Sequence, residues 1–277
     1  MRLAGEGSPG WLPEGRAGIF WLGQAGFWID TGAHRILIDP YLSDSLARKY
    51  AGKINDHRRM MSPPATVADL PPPDIVLVTH AHTDHMDPDT LGPLAVRFPD
   101  LPFVVPAARL DVARVRIGAE ARLIAVDAGA RLEPLPGLRI DVLPAAHETR
   151  ETDAAGAHVF LGFGMTSGGG TIWHSGDCVP FEGLLTLVRR LAPDIALLPV
   201  NGRDAVRLAA GVPGNFTLAE AIGLARDADV PFLVPHHFGM FDFNTCDVAE
   251  IDRAAAATVA PRIIRPVAGT WIGIEND

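Results

Sequence analysis

Short apolar runs recur along the chain, many of them β-branched, and most stop at a turn signal or a polar cluster. Runs at 18–22, 26–29 and 35–38 predict an opening antiparallel meander. Further strands are predicted at 74–79, 103–105, 122–126, 138–143, 158–163, 171–174, 194–200, 231–234 and 262–267. Helices fall between them. Asp87 and Pro88 supply an N-cap and a first-turn proline before a helix at 89–98. Thr217 and Glu220 have capping-box spacing and open a helix at 218–228. Asp247 caps 248–257, and leucines and a valine spaced for one buried face predict a helix at 181–191. Strands outnumber helices, and helices enter only after the meander. This order predicts an α/β protein in which two mixed sheets pack face to face with helices outside, a four-layer αββα sandwich.

One domain over 1–277 accounts for the whole pattern except 44–73. That segment is long, carries Lys49, Lys53, His57, Arg58 and Arg59, and ends in prolines; it reads either as a lid or as a solvated insertion. No internal repeat stands out. The chain is 48% hydrophobic, enough for a large core, yet has no apolar run long enough to span a membrane. The first ten residues lack a basic start followed by an apolar stretch, so no signal peptide is expected. Two cysteines, Cys178 and Cys246, make no disulfide framework, and a cytoplasmic location is the expectation. A formal charge of −9 argues against nonspecific nucleic-acid binding. It leaves room for a small anionic substrate, because bound metal ions would supply local positive charge. The expected partner is thus a small molecule, with neither nucleic acid nor membrane, and a homo-oligomer is left open.

The chemistry concentrates where the apolar run Val76-Leu77-Val78 leads through Thr79 into His80-Ala81-His82-Thr83-Asp84-His85. Four ligand-type groups at a buried strand end are costly unless something binds them. Alternate residues of an extended segment share a face, so His80 and His82 can grip one ion together. After the turn, Asp84 and His85 can face a second. Imidazole and carboxylate suit zinc, manganese or iron. The same grammar, an apolar strand followed by a ligand-type residue, recurs at His147, at Asp177 and at His236-His237. A carboxylate has two oxygens and can bridge two ions, which suits Asp177.

The run from His80 to His85 resembles the signature of the metallo-β-lactamase superfamily. Trp21-Leu22-Gly23-Gln24-Ala25-Gly26 and Ile36-Leu37-Ile38-Asp39-Pro40 are similar to that family's first hairpin. The resemblance implies one divalent metal ion on His80, His82 and His147, a second on Asp84, His85 and His237, and Asp177 between them. It favours His237 over His236 as the ligand; Asp39, after the third strand, reads either as a group behind the ligands or as a turn-forming Asp-Pro. Within the superfamily, Trp173-His174-Ser175-Gly176-Asp177, Pro199-Val200-Asn201-Gly202-Arg203 and Gly214-Asn215-Phe216-Thr217 resemble the L-ascorbate-6-phosphate lactonase-like branch. This chain departs from that branch in being shorter and in carrying a histidine, not an acid, at 147.

The function expected on these grounds is metal-dependent hydrolysis by two divalent transition-metal ions, zinc or manganese, opening a small polar lactone such as L-ascorbate 6-phosphate. Metal makes hydroxide available near neutral pH, and Asp84 or Asp177 would orient it and accept its proton. His174 is read either as a hydrogen-bond donor to the reaction's oxyanion or as a strand histidine bonded to backbone. Asn201 and Arg203 are the expected substrate contacts. Arg203 would bind a phosphate or, on the plainer reading, pair with a nearby acid, and Arg58 or Arg59 would close over the substrate. The alternative on the same site is a phosphodiesterase or an N-acyl phosphatidylethanolamine phospholipase-like hydrolase.

Overall fold

A computed structural model describes residues 1–9 and 16–275. Gly10, the last residue of the N-terminal stretch considered above, and the final two residues of the predicted domain lie outside it. Among the described residues, fifteen strands form two sheets. The first sheet holds β1 (Arg2–Pro9), β2 (Gly18–Gly23), β3 (Gly26–Asp30), β4 (Arg35–Ile38), β5 (Ile75–Leu77), β6 (Pro102–Pro106), β7 (Arg122–Val126) and the late strand β15 (Thr270–Glu275), in the order β1-β15-β2-β3-β4-β5-β6-β7. The second holds β8 (Arg131–Leu135), β9 (Leu138–Pro144), β10 (Leu161–Ser167), β11 (Gly170–His174), β12 (Ile195–Pro199), β13 (Phe232–His236) and β14 (Arg262–Ile263), in the order β14-β13-β12-β11-β10-β9-β8.

The two sheets share a plan. In the first, β2, β3 and β4 are antiparallel and β4 to β7 run parallel. In the second, β9, β10 and β11 are antiparallel and β11 to β14 run parallel. The halves repeat in topology although no repeat is visible in the residues. Burial constrains the apolar character of each strand position and leaves its identity free.

Strand alternation distributes the core. Ile36, Ile38, Ile75 and Leu77 face the layer shared with the second sheet. Leu37, Val76 and Val78 face a separate outer layer with Leu91, Leu94, Ala113 and Ile117 of α2 (Pro88–Arg97) and α3 (Leu110–Ile117). A strand covered on both faces reads as a continuous apolar run, the form the sequence shows here. Leu184 and Val188 of α4 (Leu184–Leu191), Ala221 and Ala225 of α6 (Leu218–Asp227) and Ile251 of α7 (Val248–Ala257) join the core on the second sheet's side. The result is the expected αββα sandwich.

The cap signals hold in detail. Asp87 accepts from the amide of Asp89, Thr217 and Glu220 close the reciprocal capping box, and Asp247 accepts from Ala249. Elsewhere the boundaries move. The helix predicted from 181 starts at Leu184, because Gly183 sits at φ +88°, outside helical space. The strand predicted at 158–163 lies three residues later, at Leu161–Ser167. Gly162 within it serves close packing: a Cβ there would stand 2.9 Å from the carbonyl oxygen of His174. β8 lies outside the predicted strands; it holds Pro134 at the sheet edge, where proline is tolerated. β1, β15, α3 and two five-residue helices, α1 (Ser45–Lys49) and α5 (Ala205–Ala209), were also not expected.

Segment 44–73 contains α1 and is anchored at several points. Leu46, Ala65 and Leu70 are buried. Arg59 donates to the carbonyls of Tyr41, Ser43 and Met61, each at 3.1 Å. No described helix is long and apolar enough to cross a membrane.

Candidate metal centre

Parallel strands deliver their C-terminal ends to one edge of a sheet, and ligands collect there. Asp39 follows β4 and His80 follows β5, which is parallel to it. His237 follows β13, and Asp177 follows β11 at the same edge. β9 is antiparallel to β10, which is antiparallel to β11, so β9 also ends on this side and brings His147. Backbone bonds tie the exits together: Leu161 to Thr79 at 3.1 Å, Val179 to Ala146 at 2.7 Å and His237 to Gln24 at 2.9 Å.

Two groups of ligand atoms result, each gathered within 4.8 Å: His80, His82, His147 and Asp177, and Asp84, His85 and His237. Asp177 lies between them. Its Oδ2 is 3.6 Å from His147 Nε2 and 3.3 Å from His237 Nε2, and its Oδ1 is 3.4 Å from His85 Nε2. Asp84 Oδ2 stands 3.8 Å from His85 Nε2 and 3.7 Å from His237 Nε2. Most of these separations are long for hydrogen bonds. Two donors on one tetrahedral zinc, each about 2.0–2.1 Å from the ion, stand about 3.4 Å apart, so they suit co-ligands.

Neighbours set the tautomers. Asp39 accepts from the Thr79 hydroxyl at 2.5 Å and from His85 Nδ1 at 2.7 Å. With its proton on Asp39, the Thr79 oxygen accepts from His80 Nδ1 at 3.0 Å. His147 Nδ1 donates to the carbonyl of Gly214 at 2.9 Å. Each of these histidines therefore turns an Nε2 lone pair into the cluster. His80 Nε2, His85 Nε2 and Asp177 Oδ1 are buried with no hydrogen-bond partner. Buried polar atoms of this kind are costly unless something binds them, and a divalent cation fits the acceptor set.

The electrostatics agree with that fit. Burial holds His80 well below the ordinary imidazole range and, with His147 nearby, brings His82 to about 4. Burial also lowers His147. His85 goes the other way: burial opposes its charge, but Asp177, Asp39 and Asp84 outweigh burial and raise it well above the usual value. Burial would raise Asp177, yet His237 and His85 hold it well below the usual carboxylate range. The carboxylates thus favour positive charge at His85, while burial disfavours it on His80, His82 and His147. Gln24, Asp39 and His237 all adopt left-handed backbone, at φ 51°, 44° and 62°. Non-glycine residues there cost about 1–3 kcal/mol each and cluster at functional sites.

Other expected site residues are engaged elsewhere. His174 is fully buried; its Nε2 donates to the carbonyl of Ala25 at 2.9 Å and its Nδ1 accepts from the amide of Gly176 at 3.0 Å. Both of its ring nitrogens are thus engaged by backbone. Arg203 makes a forked pair with Glu220, both contacts at 2.7 Å, and bonds the carbonyl of Asn215 at 3.0 Å. It holds the loop before α6 and is not part of the cavity wall. Asn201 donates to Asn244 at 2.7 Å and accepts from Asn215 at 3.0 Å, so it positions Asn244, which does face the cavity. Arg58 pairs with Asp56 and Arg59 is turned onto backbone, so neither closes over the site. His236 is buried against His174, their ring centroids 4.6 Å apart.

Residues outside the expected set also shape the centre. The Gln24 amide, from the β2–β3 turn, donates to Asp84 at 2.8 Å and lies 3.1 Å from His237 Nε2. Its one visible signal is a polar residue inside a run of apolar ones. A cavity of about 350 Å³ opens over Asp84, Asp177 and His237. Its cationic wall is Lys49, Lys53 and Arg116.

Residues 34–238 match the Beta-lactamase superfamily domain, and the chain belongs to that superfamily. It is 26% identical, over 91% of its length and 85% of the relative's, to a UPF0173 metal-dependent hydrolase of Polynucleobacter asymbioticus. In structure it is similar to a metallo hydrolase from Ignicoccus hospitalis, with a TM-score of 0.69, 20% identity and coverage of 94% of this chain and 99% of the other. It is also similar to the metallo-β-lactamase fold protein YhfI of Bacillus subtilis, with a TM-score of 0.61, 18% identity and coverage of 94% and 96%. Both likenesses are of fold.

Proposed function

We propose that this protein is a metal-dependent hydrolase acting on a small, polar, anionic substrate, with a lactone of the L-ascorbate 6-phosphate kind as the first candidate. The observation that carries the reading is the set of buried, unpartnered ligand atoms at co-ligand spacing beneath an open cavity. The designation of the Polynucleobacter relative supports the same reaction class. His80, His82 and His147 would hold one ion, and Asp84, His85 and His237 the other, with Asp177 shared. The nitrogen and oxygen donors suit zinc or manganese. A divalent ion there supplies Lewis acidity, which makes hydroxide available near neutral pH and offsets negative charge growing on the substrate.

The chain's own groups do the rest. Asp84 faces the cavity while its Oδ2 accepts from Gln24, so its carboxylate is held in place to take a proton from the attacking water. Asp39 fixes the ring of His85 through Nδ1, and Gly214 fixes that of His147. The cationic wall favours an anionic substrate. Protein loaded with defined zinc or manganese should hydrolyse phosphorylated lactones in a panel that also contains phosphodiesters. Turnover of phosphodiesters alone would replace the lactone, and turnover of neither class would remove the hydrolase reading.

A further inference from the structure

Lys49 and Lys53 are the only lysines in the chain; its other cationic side chains, histidine apart, are arginines. Both lysines line the cavity that opens over Asp84 and Asp177. Their ammonium groups stand over one ring, 5.1 and 5.0 Å from the centroid of Tyr50, so they are no more than about 10 Å apart, near the screening length of physiological salt. Neither has a carboxylate partner among the described residues. That is unusual in a chain with 33 acids and 24 lysines and arginines. Many surface arginines here are paired, Arg48 with Asp89, Arg114 with Asp111 and Arg265 with Asp252 among them. Tyr50 is itself held firmly: it stacks on His57 at 4.3 Å, and His57 abuts Phe241 at 5.0 Å.

We propose that Lys49 and Lys53, whose ammonium groups both stand over the Tyr50 ring at the mouth of the cavity, form a subsite for a carboxylate or phosphate carried by the substrate, whose carbon body lies against Tyr50 and Phe241. The inference rests on the hydrolase reading for the identity of the substrate, but not for the binding. Two like charges held near one ring repel, and an oxyanion between them relieves the repulsion. Lysine is a compact point charge on a flexible stem, able to follow an anion as the substrate settles over the ligands. The subsite takes the role that the sequence suggested for Arg203, Arg58 and Arg59.

Calorimetric titration of the metal-loaded protein with phenylphosphonate, benzoate and the uncharged analogue benzyl alcohol tests this. At least one anion should bind more tightly than benzyl alcohol, and the tighter anion names the group. In the double variant Lys49→Met/Lys53→Met its Kd should rise about tenfold or more at low salt, with metal content unchanged. Lys49→Arg/Lys53→Arg should retain most of the affinity. The charge-matched control Arg114→Met/Arg226→Met should bind like the parent. The anion should also shield Lys49 and Lys53 from amine acetylation read by peptide mass spectrometry. An unchanged Kd in the methionine variant would mean that the metal ions alone hold the anion, and the subsite falls. Failure of both anions to bind overturns it equally. Lysine-dependent binding with no hydrolysis of lactone, ester or phosphodiester would uphold the subsite and remove the reaction class.

Discussion

At the scale of single residues, the centre depends on which atom each side chain leaves free. Asp39 binds no cavity, yet through Thr79 and His85 it decides where two imidazole lone pairs point. Asp177 has the opposite role, with both oxygens within 3.6 Å of histidine nitrogens from three loops. Asp177→Asn should therefore keep the fold, lower the metal content measured by elemental analysis and cut hydrolysis by at least about a hundredfold. The replacement amide offers one oxygen and a donor where the cluster supplies only acceptors. A variant with full metal content and unchanged kcat would show that Asp177 is not shared between ions. If the asparagine variant unfolds, Asp177→Glu with retained metal keeps the question answerable.

At the scale of elements, the loop after β12 shows how a plausible site residue becomes a structural one. Arg203 leaves the strand at the same edge as the metal centre, as its position in the sequence implies. Glu220 then captures it, while also closing the capping box of α6 through Thr217. Hydrogen bonding from Arg203, with Thr217 adding to it, lowers Glu220 from 4.5 to about 2, against the effect of burial. A lowered carboxylate stabilises the fold fully above its unfolded value and loses that contribution as pH falls through the folded one. Arg203→Ala should thus cost about 0.5–1 kcal/mol near neutral pH, a figure reduced for solvent screening. In urea titrations the gap between parent and variant should narrow below about pH 4.5 as pH falls toward 2. KM for phosphorylated and dephosphorylated substrates should shift alike. A selective loss with the phosphorylated one would return Arg203 to the binding site.

At the scale of the whole molecule, the candidate metal centre sits where the two halves meet. The first half supplies Asp39, His80, His82, Asp84 and His85; the second supplies His147, Asp177 and His237. Ions bound across that seam should stabilise the pair of sheets as a unit. At about a hundredfold excess of metal over Kd the gain is about 2.7 kcal/mol, which for a chain of this size raises Tm by roughly 5 °C. Chelation confirmed by elemental analysis should lower Tm by that amount, and zinc or manganese should restore it. An unchanged Tm would place the ions off the seam.

Sequence alone determined those features that short stretches of chain decide among themselves. The apolar runs reported most strands, because a strand covered on both faces must be apolar throughout. The caps at Asp87, Thr217 and Asp247 reported helix starts, because capping is a contact between residues two or three apart. The dense run from His80 to His85 announced a cluster able to hold metal for the same local reason. Tertiary structure decided the rest. It placed His147, Asp177 and His237 beside that run, sent His174, Arg203 and Asn201 to partners far away in the chain, and brought Gln24 onto Asp84 across 60 positions. It also set Lys49 and Lys53 over the cavity. A side chain's spare donor or acceptor goes to whichever group the packed loops bring within about 3 Å, and that neighbour is fixed only when the sheets close on each other.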